Sequence, residues 1–131
     1  MKLSMDEIHL MNALSQVAKV SAKDCLVDGN TVSFLVKEED VGKAIGKKAG
    51  NVRALQEKLN KRIEIIGWQE EPAKAISKAL GIEVLSVKDG GDRLILGLDS
   101  LNRKKAMASG PKMKRVRELV RRNYGKEITF K

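Results

Sequence analysis

The chain has one cysteine, one histidine, two prolines and four aromatic side chains among its 131 residues. A lone cysteine, Cys25, excludes an intramolecular disulfide and fits a reducing compartment. With His9 the only histidine, a zinc site of Cys and His ligands lacks its ligands. No apolar run approaches the roughly 18–20 residues that a membrane span requires. The opening MKLSMDEIHL carries one lysine followed by acids and lacks the long apolar centre of a secretory signal. No Ser/His/Asp set, phosphate-binding Walker loop or paired carboxylates are present, so the expectation is no catalytic residue, no metal and no cofactor. The reading is of a cytoplasmic, monomeric, non-enzymatic protein.

Hydrophobic residues make up 42% of the chain, enough to bury a core and to argue against intrinsic disorder. The net charge is +9 and it is unevenly placed: +2 up to Trp68 and +7 beyond it. Between Arg103 and Lys126 ten basic residues face the single acid Glu118; between Lys43 and Arg62 seven face Glu57. Uncompensated like charges repel unless a polyanion meets them. A membrane surface would want an aromatic or leucine-rich face beside the charges, so nucleic acid is the better match.

Shifting the sequence by 61 positions lays one half on the other. Asp28-Gly29 falls on Asp89-Gly90, both hairpin signals between β-rich runs, and Glu57 falls on Glu118. Val52, Leu55 and Leu59 fall on Met113, Val116 and Val120, one helical stripe in each half. The order of elements is the stronger sign. Each half reads helix, strand, strand, helix, helix, strand, which predicts two α+β domains, residues 1–68 and 69–131.

In the first half an amphipathic helix is expected over Asp6–Val20, with Ile8, Met11, Leu14, Ser15 and Ala18 near one face. Strands follow at Cys25–Val27 and Thr31–Val36, then a short helix opened by Glu38, Glu39 and Asp40 and ending at Ile45. A second helix runs to about Asn60, and Ile63–Ile66 is a strand. In the second half Pro72 suits a first helical turn and Gly81 a stop. Ile82–Val87 and Leu94–Leu98 are expected to form the hairpin, and Asp99-Ser100 to cap a short helix. Lys112–Asn123 is the basic helix, and Ile128–Phe130 the last strand.

The junction between the paired helices reads Ala44-Ile45-Gly46-Lys47-Lys48-Ala49-Gly50-Asn51-Val52-Arg53. Glycine there lets a phosphodiester approach the backbone, because no Cβ intervenes. The helix that follows offers unpaired N–H groups and the positive end of its dipole. The same residues also suit an ordinary glycine-capped turn between helices.

This junction resembles the Ile-Gly-x-x-Gly-x-x-Ile loop of the KH domain, and αββααβ is the type II KH order. Two such units in so short a chain resemble the archaeal NusA-like termination and antitermination factors. That resemblance implies two three-stranded sheets, each covered by helices, and a single-stranded RNA partner gripped by phosphate capture beside an aliphatic groove. RNA polymerase is a second candidate partner. The implied RNA-binding residues of the first unit are Lys43, Ile45, Gly46, Lys47, Lys48, Ala49, Gly50, Asn51 and Arg53, with Ile45 and Val52 flanking the groove, two positions that equally suit simple core packing. Those of the second are Arg103, Lys104, Lys105, Ser109, Gly110, Lys112, Lys114 and Arg115.

Each loop has one of the two glycines of that motif. Ala49 occupies the second glycine position, with Gly50 one place later, so either a methyl is tolerated at 49 or Gly50 serves after a one-residue shift; in the second copy Met107 occupies the first. Sequence preference is therefore expected from the first unit and electrostatic affinity from the second. A KH groove holds about four nucleotides without needing aromatics. Phe34, Trp68, Tyr124 and Phe130 lie in or just after strands and helix ends, where packing is expected rather than the base stacking of RRM or OB surfaces. The rival reading is a KH-fold interaction module with weak or no RNA binding, whose basic helix docks on an acidic protein such as RNA polymerase or a ribosomal subunit.

Overall fold

Helix α1 (Met5–Ala18) begins the part of the chain that the structure, a computed structural model, describes, residues 5–131. Residues 1–4, part of the stretch read above for a secretory signal, lie outside the described residues. Ala13, Leu14 and Ala18 of α1 are buried, with Leu10, Met11 and Val17 packed beside them. Ile8 is 43% exposed and Ser15 is exposed, so the inward face lies to one side of the stripe expected from sequence. The helix stops at Ala18 rather than Val20 because Lys19 turns left-handed, at φ +59.

Strands β1 (Asp24–Asp28) and β2 (Thr31–Lys37) form an antiparallel hairpin, turned at Gly29 with φ +57. Strand β3 (Arg62–Trp68) lies on the far side of β2 and runs parallel to it. A parallel neighbour needs a crossover connection, and here helices α2 (Val41–Ile45) and α3 (Gly50–Leu59) supply it. Alternate residues of β2, Val32, Phe34 and Val36, point into one core with Cys25, Leu14, Ala44 and Leu55. Leu55 is fully buried, so truncating it to alanine removes about 2–5 kcal/mol.

The same plan recurs in α4 (Pro72–Leu80), β4 (Ser86–Asp89), β5 (Arg93–Gly97), α5 (Ser100–Ala108), α6 (Pro111–Tyr124) and β6 (Glu127–Phe130). Strand β5 is central again, antiparallel to β4 and parallel to β6. Leu94, Leu96, Val116, Leu119, Val120 and Ile128 are buried. Contacts within the chain divide it into two compact units, Met1–Trp68 and Gln69–Lys131. Each unit is α+β, a three-stranded sheet with helices in the order αββααβ.

The second hairpin is shorter than the sequence suggests. Ile82–Leu85 stand outside the strand; the Leu85 N–H already donates to Gly97 O of β5, but Ile82 and Glu83 before it are engaged elsewhere. The Ile82 N–H donates to Ser77 O at the end of α4, and the Glu83 N–H donates to the Asn102 side chain at 2.9 Å. Asn102 is itself buried and held by Asp99, so this stretch is fastened to α5 before it reaches β5.

Candidate nucleic-acid interface

The junction between α2 and α3 is built from three backbone conformations that the sequence does not announce. Gly46 has φ +80 and ψ 168, a region essentially confined to glycine. Lys48 and Ala49 follow in the left-handed helical region, at φ +54 and +59. Gly50 is an ordinary helical residue, φ −61 and ψ −40, and begins α3. The ambiguity over which residue serves as the second loop glycine is thereby answered. Ala49 occupies the left-handed position and Gly50 does not.

Asn51 braces this loop. Its Nδ2 donates to Lys43 O at 2.9 Å, tying the head of α3 to the end of α2. A Cβ added at Gly46 would lie 2.8 Å from the Asn51 side chain and backbone nitrogen, so glycine is required there by space as well as by φ. Within the loop, Ala49 N–H donates to Gly46 O and Gly50 N–H to Lys47 O. Among the described residues no hydrogen bond takes up the Lys47 or Lys48 N–H. Those two amides sit at the head of a ten-residue helix, where backbone donors and dipole favour an anion.

The cations expected at this loop lie on the surface. Lys43, Lys47, Lys48 and Arg53 are all exposed, and among the described residues none of their side chains has an ion-pair partner. Ile45 and Val52 are half-buried and belong to neither the core cluster nor the side chains packed on it. They are available as the aliphatic walls of a groove.

The second unit departs from this pattern. Helix α5 continues through Met107 and Ala108, the positions matching Gly46 and Lys47, so their amides are spent inside a helix. The link to α6 is only Ser109 and Gly110. Ser109 is right-handed and its Oγ returns to Ala106 O at 2.5 Å, while Gly110 has φ +55 and ψ −122. Pro111 has no N–H, and the Lys112 and Met113 amides donate to Ser109 O and Gly110 O. The open loop of the first unit is absent from the second. Lys112 stands where Asn51 would be, so the brace is missing too.

Part of the second unit's charge is used internally. Arg117 Nη1 donates to Ile128 O at 2.6 Å and its guanidinium lies 5.6 Å from the Phe130 ring centroid. Arg121 pairs with Glu118. Lys126 pairs with Asp89 at 2.8 Å, which holds the Asp89 carboxyl below its ordinary value, helped by the Gly91 N–H. Arg103, Lys104, Lys105 and Lys114 remain exposed, with Lys112 and Arg115 half-buried. A cleft of about 440 Å³ along α6 has Lys114, Arg117 and Arg121 on its wall, but also Glu118 and Glu127. That mixed lining suits no simple anion.

The aromatics are engaged in packing and polar contacts. Phe34 is fully buried; Lys23 Nζ lies 4.5 Å over the Trp68 ring; Tyr124 accepts from the Gln69 N–H at 3.2 Å and donates to Gln69 O. Burial raises the Tyr124 hydroxyl above its ordinary pKa. Cys25 is buried in the core and His9 is exposed. Among the described residues no three His, Cys, Asp or Glu side chains cluster to hold a metal, and no helix is long and apolar enough to cross a membrane.

A three-stranded sheet with a parallel third strand, crossed by two helices that meet at a glycine loop, is the KH-type α+β module. The KH-domain family model matches residues 9–88, and the chain belongs to that family. The chain is similar to proteins named "Probable transcription termination protein NusA" from three archaea. The one from Methanocaldococcus jannaschii is 37% identical over 75 residues, 57% of this chain and 41% of that protein. The Methanococcus vannielii protein is 30% identical over 98 residues, 72% of this chain and 57% of its own length. The Halococcus morrhuae protein is 33% identical over 83 residues, 63% and 60%. The chain thus spans about two-fifths to three-fifths of the curated relatives it matches. Among solved structures, one described as the crystal structure of APE1850 shares the fold, with a TM-score of 0.85 at 22% identity over 98% of this chain and 100% of that one.

Proposed function

We propose that this chain is a non-enzymatic, single-stranded RNA-binding protein that works in transcription termination or antitermination. The observation that carries the reading is the Gly46–Ala49 loop: unengaged amides at the head of α3, four exposed cations around them, and Ile45 and Val52 beside them. A phosphate of an extended strand settles against the Lys47 and Lys48 amides. Lys43 and Arg53 neutralise its neighbours, and the exposed bases lie on the aliphatic side chains. Membership of the KH family and the name carried by the archaeal relatives support the RNA partner and the transcriptional setting. The second unit, lacking the loop, contributes general attraction through Lys112, Lys114 and Arg115.

The test is anisotropy of a labelled 12-nucleotide single-stranded RNA titrated with the full chain at several salt concentrations. If the four cations of the loop meet four phosphates, log affinity falls by about 2.8 per log unit of salt. Replacing Lys47 and Lys48 with aspartate should lower affinity more than tenfold and remove about 1.4 from that slope. Aspartate tolerates the left-handed region required at position 48, so the loop survives the change. Unchanged affinity in this variant would refute the proposal.

A further inference from the structure

Helix α5 has a face that RNA binding does not explain. Of its nine residues only Asn102 and Ala106 are buried. At 100° per residue Lys104 lies opposite that pair, with Leu101 and Met107 about 60° to either side of it. Arg103 and Lys105 flank them. Leu101 is 62% exposed and Met107 59% exposed, among the most exposed large apolar side chains of the described residues. No acid lies between Ser100 and Ala108, and Asp99 just before them is occupied as the N-cap, accepting from Asn102 at 2.8 and 2.9 Å. The helix is therefore anchored firmly on its inner side and presents two apolar side chains inside a frame of three positive charges.

In the first unit aliphatic side chains stand beside unengaged amides that can seat a phosphate; at α5 the amides of Met107 and Ala108 lie inside the helix, so Leu101 and Met107 have no such neighbour. A protein partner uses both the cations and the apolar side chains. We infer that the outer face of α5 is a docking site for an acidic amphipathic helix of a partner protein, whose apolar stripe covers Leu101 and Met107 and whose carboxylates meet Arg103, Lys104 and Lys105. The charge complementarity selects the sign of the partner, and an amphipathic helix is the element that offers an apolar stripe and carboxylates together on one face. This inference assigns α5 differently from the expectation that Arg103, Lys104 and Lys105 hold RNA. It does not depend on whether the first unit binds RNA.

The experiment uses the full chain and three labelled probes. These are a 20-residue peptide with leucine at i, i+3, i+4 and i+7 and glutamate elsewhere, polyglutamate of equal charge, and the 12-nucleotide RNA. The amphipathic peptide should bind at least tenfold tighter than polyglutamate, with backbone amide shifts concentrated on residues 100–108. Leu101→Ser with Met107→Ser, both at exposed positions that the fold tolerates, should lower peptide affinity at least tenfold and leave RNA affinity within twofold. Three results overturn the inference: no preference for the amphipathic peptide, peptide affinity unmoved by the double variant, or an equal loss of RNA binding, which would make α5 part of an RNA surface.

Discussion

Exchanging the order of Ala49 and Gly50 should stabilise the first unit. Ala49 sits at φ +59 and ψ 26, where an L-residue costs roughly 1–2 kcal/mol. Glycine removes that strain, at the expense of about 0.5–1 kcal/mol of chain entropy. The net gain from Ala49→Gly is therefore about 0.5–1 kcal/mol. Gly50 is the reverse case: its φ is −61, and a Cβ there meets nothing within 4 Å. Gly50→Ala in a helix should gain a further 0.5–1 kcal/mol or so. The pair together is worth about 1–2 kcal/mol, which for a unit this small raises its melting temperature by roughly 4–16 °C. Trp68, the only tryptophan, lies in β3 of the same unit and reports its unfolding by fluorescence in a urea titration. A loss of stability in either single variant would show that the left-handed position has been placed wrongly and that Gly50 is the flexible residue after all.

Four further outcomes follow from particular contacts. Gly46→Ala should cost about 2–3 kcal/mol, because the residue needs φ +80 with ψ 168 and its Cβ would strike Asn51; the same urea titration reads it. Asn51→Ala removes the bond to Lys43 O and should lower stability by about 1 kcal/mol while RNA affinity falls further than that loss explains, as an untied loop presents its amides less often. Tyr124→Phe removes the hydroxyl that meets Gln69 and should cost about 1–2 kcal/mol by thermal melting. Since burial holds the Tyr124 hydroxyl protonated, its contribution is intact below pH 10 and declines as pH rises beyond it, a decline that the Phe variant should lack. At the acid end, the Asn102 N–H holds the Asp99 carboxyl below its ordinary 3.8, so the cap of α5 weakens as pH falls through that range. Asp99→Asn should flatten the acid limb of helicity measured by circular dichroism.

Element order was readable because periodicity and punctuation agreed. Gly29, Pro72, Gly81 and Asp99 each stand where a turn, a helix start, a helix stop or a cap was expected, and the structure uses each of them so. The details that were not readable depend on partners distant in sequence. Nothing local around Ile82 and Glu83 says that Asn102 will take the Glu83 amide and hold this stretch away from the hairpin. The loop was legible as a place but not as a conformation. Two glycines four apart suggest that both are needed for bending, whereas the dihedral angles assign one to a glycine-only region and the other to a plain helix. Asn51 was marked as a binding residue on its position, and its hydrogen bond shows that it acts on the loop itself. Exposure of Leu101 and Met107 escaped the sequence reading because a nine-residue helix that buries only two side chains has no clear stripe.

The offset of 61 residues makes the difference between the two units interpretable position by position. Ala49 and Gly110 are in register and both have positive φ, so each unit reverses its chain immediately before its long helix. Three residues earlier the units diverge, with glycine in an open turn at 46 and methionine inside a helix at 107. A helix consumes the amides that a loop leaves available, and no surplus of lysine restores them. The second unit's larger charge is moreover partly committed, with Arg117, Arg121 and Lys126 holding a strand carbonyl, a neighbouring carboxylate and the hairpin turn. Counting charges would place the principal site in the second unit. Counting unengaged backbone donors favours the first, the choice on which the proposed function rests, because donors fix where a phosphate can sit while lysine side chains fix only that one is attracted.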